Sequence, residues 1–79
     1  MNGFLVVARC AMDDVPLRLL ANLQQACDYA ATVTAWHVSQ AAEAVLGGWC
    51  DSEAIRLEIV EFRDGAPARV LPARRALAA

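Results

Sequence analysis

The stretch that most limits what this chain can fold into is 55–72, IRLEIVEFRDGAPARVLP, two β-prone runs around Asp64-Gly65. An Asp-Gly pair between such runs is a strong local signal for a β-hairpin, because both central residues of a type I′ turn need positive φ. With that turn, Arg63 pairs Ala66, Glu61 pairs Ala68, Ile59 pairs Val70 and Leu57 pairs Pro72. Alternation then puts Ile55, Leu57, Ile59 and Val70 on one face and Arg56, Glu58 and Arg69 on the other. Val60, Phe62 and Leu71 fall on the otherwise polar face, which is then too apolar for a plain solvent-facing sheet. Either a bulge near Ile59-Val60 or an outer patch covered by something else accounts for that defect. Pro67 and Pro72 cannot donate to a ladder, so the last strand is expected to be short or at an edge.

A hairpin alone buries too little to be stable, and the upstream chain reads as its cover. Gly3–Cys10, GFLVVARC, is a strand, and a central one, since Leu5, Val6 and Val7 leave no polar face. Ala11 to Asp14 is a turn. Val15–Leu20 reads as a strand with Leu17 and Leu19 on one face, Arg18 on the other, and Pro16 at its start or at an edge. The alternative is a helix running from Pro16. Asn22, three residues before Gln25, resembles a capping box and favours a fresh helix from Leu23. Leu23, Ala26, Cys27, Ala30 and Val33 form one helical stripe, with Cys27 a small hydrophobe on it. Thr34 offers a second cap, and Ala35–Leu46 carries Val38, Ala41, Ala42, Val45 and Leu46 inward before Gly47-Gly48 ends it. Trp49 to Glu53 is a loop, and Ala73–Ala79 a frayed or helical tail. The expected fold is α+β: a two-layer sandwich in the order ββααββ, with both helices on one face of a mainly antiparallel sheet. The alternative is βαββ with one long helix.

The 79 residues make one small domain, 1–79. A chain this short buries only about 60–65% of its unfolded surface. Its 58% hydrophobic content is rich in alanine, with only 6% aromatic residues, so the core is thin and self-association is a means of burying more. The net charge of −2 gives no overall pull toward nucleic acid or acidic lipid. All seven basic residues are arginine, which together with the alanine reads as GC-rich coding. Cys10, Cys27 and Cys50, at spacings of 17 and 23, form no CxxC and no even disulfide framework. Neither a signal peptide nor a membrane span is apparent, which points to reduced thiols and a cytoplasmic protein.

Chemistry-bearing residues are sparse. His37 is the single histidine and reads as a partly exposed, idle side chain, with no cysteine placed by spacing as its nucleophile. Cys50, beside Trp49 and Asp51, is the thiol expected to be most accessible. Cys50-Asp51 with His37, or Asp13-Asp14, are poor metal sets, and no nucleotide, zinc-protease or hydrolase motif occurs. Glu58 and Glu61 lie on opposite strand faces and cannot act as one acid–base pair; Glu58, Arg56 and Arg69 are expected to form solvated cross-strand pairs. No catalytic, cofactor-binding or metal residue is assigned, and no cofactor or small-molecule substrate is identified.

What remains is a small non-enzymatic interaction or regulatory module that self-associates or takes a protein partner, with no membrane contact. VARCAMDDVPLRLL and IVEFRDGAPARV are similar in style to short bacterial or phage-borne proteins, a likeness that gives no residue a role. The candidate interface is Val60, Phe62, Leu71 and Arg69 on the hairpin, with Trp36 and Trp49 flanking the second helix. A nucleic-acid-associated factor using Arg69, Arg74 and Arg75 is the alternative, and an enzyme built on His37 and Cys50 the weakest class.

Overall fold

The computed structural model describes residues 2–9, 14–46 and 55–75. They form β1 (Gly3–Arg9), β2 (Asp14–Leu20), α1 (Leu23–Thr32), α2 (Ala35–Leu46), β3 (Arg56–Arg63) and β4 (Ala66–Arg75). The four strands make one antiparallel sheet in the order β2-β1-β3-β4, so the protein is α+β with an open sheet and two helices. β1 is central, as its uninterrupted apolar run predicts, and β2 and β4 are the edges.

Asn22 ends β2 and starts α1. Its extended backbone lets the side-chain Oδ1 accept the Gln25 N–H at 2.9 Å, while Gln25 Oε1 accepts the Ala21 N–H at 3.3 Å. The chain leaves helical geometry at Val33, whose ψ is 131°, and restarts at Thr34. There are therefore two helices, not one bent one. Thr34 Oγ1 accepts the His37 N–H at 3.3 Å, and His37 Nδ1 accepts the Thr34 N–H at 3.1 Å. That is a capping box with imidazole in the place usually taken by a carboxylate, so His37 is a structural cap and not an idle side chain.

The core is built from Val6 and Ala8 of β1, Val15 of β2, Leu57 and Ile59 of β3, Ala26, Ala30, Val38 and Ala42 of the helices, and the flanking Val33 and Ile55. α1 crosses all four strands and α2 lies against β2. Fully buried alanines at the contact let helix backbone approach the sheet closely. Phe4, Leu20, Tyr29 and Leu71 pack around this core, and the Arg18 guanidinium caps Tyr29, 5.7 Å from its ring centroid. In α2 the expected inner residues Val38 and Ala42 are buried, while the side chains of Val45 and Leu46 lie outside the described set.

Several expectations need correction. Asp64 (φ 53°) and Gly65 (φ 82°) do form the two-residue turn, and Arg63 faces Ala66. Beyond it the register differs: Phe62 faces Pro67, Glu61 faces Arg69, and Ile59 faces Leu71. Ala68 is an extra residue in β4, a bulge that exchanges the faces of Arg69 to Pro72. Val70 consequently leaves the inner face for a place opposite Val60, and Leu71 takes the core position. A second bulge at Ala73 sets Arg74 opposite Leu57. No irregularity falls at Ile59-Val60, where β3 runs in regular register along β1. In β2 the register slips at Leu17, which packs on the core while Leu19 faces Leu5 and Arg18 faces Val6. β4 is an edge strand, yet ten residues long, and continues through 73–75 where a frayed tail is expected.

Candidate functional site

Opposite the helices the sheet presents a second face, and its residues follow from register. Leu19, Leu5, Val60 and Val70 lie side by side, one from each strand, as an unbroken apolar row. On one side of that row Gly3 faces Phe62. On the other, Pro16, Val7 and Glu58 are aligned, and beyond them Asp14, Arg9 and Arg56. Val7 and Val60 are shielded by their neighbours, at 5% and 7% exposure, and stand outside the core cluster. The outer members Leu19 and Val70 keep 42% and 47% of their surface in solvent. Among the described residues no helix covers this face.

Gly3 is what lets Leu19 lie down on the sheet. A Cβ built there would stand 3.0 Å from Leu19 Cδ1 and 3.0 Å from the Leu20 carbonyl oxygen. At the opposite end, Arg9 Nε donates to Glu58 Oε1 at 2.5 Å and Nη1 donates to Asp14 Oδ2 at 2.6 Å. The bond to Glu58 is the main reason that the Arg9 guanidinium is held above its ordinary pKa, with Asp14 adding to it. The face therefore has an apolar end, around the four-residue row, and a charged end at which Arg9 is paired to Glu58 and Asp14, with Arg56 and Arg75 facing each other in register beyond it.

The expected interface residues are divided between places. Val60 and Phe62 belong to this face. Leu71 and Arg69 do not: the Ala68 bulge turns both toward the helices, and Val70 stands where Leu71 was expected. Trp36 is 57% exposed in the first turn of α2, edge-on to His37 with ring centroids 5.5 Å apart. Trp49 lies outside the described residues, as do Cys10, Asp13, Gly47, Gly48 and Cys50. Leu5, Val7, Leu19 and Val70 complete the face without having been singled out. For Leu5 and Val7 the signal is the all-apolar Leu5-Val6-Val7 run, which supplies side chains to both faces of a central strand; Val70 reaches this face only through the Ala68 bulge.

Arg69 instead donates from Nε to Glu61 Oε1 at 2.6 Å, and Arg63 Nε donates to Oε2 at 3.0 Å. Glu58 is bonded to Arg9 and not to Arg56 or Arg69. Glu61 is 8% exposed and its carboxyl is held below its ordinary value, by Arg69 first and Arg63 second. Cys27 is an exposed free thiol and not a core hydrophobe. It lines an apolar groove of about 320 Å³ between α1 and β4, together with Leu23, Ala30, Ala31, Ile59 and Leu71. Among the described residues no grouping of His, Cys, Asp and Glu is arranged to hold a metal, and no helix is long and apolar enough to cross a membrane. Compared with models of protein families, with curated proteins and with solved structures, the chain matches none.

Proposed function

We propose that this protein is a small, non-enzymatic interaction module that works through the second face of its sheet. In this proposal the molecule is a two-layer sandwich in the order ββααββ: the helices close one side and a macromolecular partner closes the other, in the cytoplasm, where its thiols stay reduced. One observation carries the proposal. An apolar row spans all four strands, and its outer members Leu19 and Val70 remain almost half exposed. Burying such a row gains roughly 25 cal/mol for each Å² of apolar surface removed from water, a gain the isolated fold forgoes. The nucleic-acid alternative draws no support from Arg69, which is committed to Glu61, or from Arg9, which is committed to Glu58 and Asp14.

Capture on immobilised protein tests the proposal. The native chain is compared with Val70→Lys and with Gln40→Lys, a control on the exposed side of α2. Partners, including free copies of the same chain, should be retained by the native protein and the control and lost with Val70→Lys. Equal retention by all three would sink the idea that this face is the working surface.

A further inference from the structure

We infer that the partner on this face is a second copy of the chain, packed sheet to sheet about a two-fold axis parallel to the strands; this rests on the interaction proposal above and specifies its partner. Lateral pairing is hindered first. Both sheet edges carry prolines, Pro16 in β2 and Pro67 and Pro72 in β4, and these supply no N–H to an added strand. Association is thereby directed to the face. On that face the Arg9 guanidinium is already paired to Glu58 and Asp14 of its own chain, and the widest stretch open to a partner is the apolar row.

The order of residues across the face complements itself. A two-fold axis along the strands lays β2 of one copy over β4 of the other, and β1 over β3, while every row stays opposite its own equivalent. Leu19 then meets Val70, Leu5 meets Val60, and Phe62 meets Gly3 with the Leu19 side chain folded across it. Within the apolar row each leucine thus faces a valine, the alternation by which packed layers interdigitate, and in the next row Val7 faces Glu58. The Arg9 end falls at the rim, as the polar part of an interface does. There Arg9 lies toward Arg56 in solvent, with its own two carboxylates beside it. A two-fold axis across the strands, through the same apolar row, would instead set leucine on leucine and valine on valine. The two longest Cα extents of the molecule, 31 and 22 Å, leave room on one side for an interface approaching the roughly 800 Å² per partner of a standard one.

Sedimentation equilibrium and cross-linking test this together. The native chain should sediment as a dimer at concentrations up to about 100 μM, where contacts of micromolar affinity are saturated. Leu19→Lys and Val70→Lys should each halve that mass while keeping the native circular dichroism. Should either fail to fold, the near-isosteric Val70→Thr serves, with a weakened dimer expected. For orientation, Cys10, Cys27 and Cys50 are replaced by serine, and copies carrying Leu19→Cys are mixed with copies carrying Val70→Cys. A short bis-maleimide able to span the roughly 10 Å between packed sheets should link unlike copies in preference to like ones. A preference for like copies overturns the proposed axis, and a monomeric native chain overturns the second copy as partner. If that monomer still captures another protein and Val70→Lys loses it, the interaction proposal survives without the self-pairing. If capture is unaffected, both fall.

Discussion

Gly3 has a part out of proportion to its size. It stands at the start of the central strand, beside Phe62, with the Leu19 side chain laid across it. Gly3→Ala would put a methyl group 3.0 Å from both Leu19 Cδ1 and the Leu20 carbonyl oxygen. The leucine can turn aside, but the carbonyl is backbone and yields less. We expect a loss of about 1–3 kcal/mol, as for other overpacked sites, read as a lower urea midpoint. An unchanged midpoint would mean that Leu19 does not lie on Gly3. Neither this contact nor the role of His37 was legible in the sequence. A glycine in a strand signals close approach only once the approaching residue is known. A capping box is recognised by Glu or Gln at its third position, and here imidazole accepts the Thr34 N–H instead, at 3.1 Å.

At the scale of elements, the legible features were the local ones. Asp64-Gly65, the Asn22 cap and the break at Thr34 each depend on a few adjacent residues, and each lies where the residue types put it. Alternation alone puts the residues of β4 beyond Ala68 on the wrong faces, because a bulge has no comparable signature. Ala68 is left unpaired between Pro67 and Arg69, and that one extra residue exchanges the side chains from Arg69 to Pro72 between core and surface. The core–surface split of Leu71 and Val70, and with it the placing of two of the six expected interface residues, Leu71 and Arg69, turns on that single residue. Deleting Ala68 should accordingly be tolerated, since Glu61–Arg69, Val60–Val70 and Ile59–Leu71 can then pair as a regular ladder. Deleting Val70, also one residue, moves Leu71 off the core. We expect cooperative urea unfolding to survive the first deletion, within about 2 kcal/mol of the native chain, and to be lost in the second. Equal damage from both would place the bulge elsewhere.

For the molecule as a whole, the ion pairs sit around the apolar layers, and one of them ties stability to pH. The Glu61 carboxyl is lowered from its ordinary 4.5 by Arg69 and then Arg63. A carboxyl whose folded pKa lies below its unfolded one stabilises the fold above the unfolded value. That contribution is lost as pH falls through the folded one. Native stability should therefore decline below about pH 4.5, and Glu61→Gln should remove part of that slope while being less stable than the native chain at pH 7. Urea midpoints at pH 7 and pH 3 measure it. A variant whose decline parallels the native one would show that other carboxylates govern acid sensitivity.

The central position of β1 also bears on how the protein is made. β1 leaves the ribosome before every other element, and β2 follows at once to pair one of its sides. Its other side waits for β3, which comes only after both helices have been synthesised. Until Arg63 has been added, a strand apolar on both faces keeps one unpaired edge, a template for joining other unfinished chains. Truncated products that stop short of β3 are thus expected to aggregate, as the pelleted fraction of chains ended after Leu46 would show against the soluble full chain.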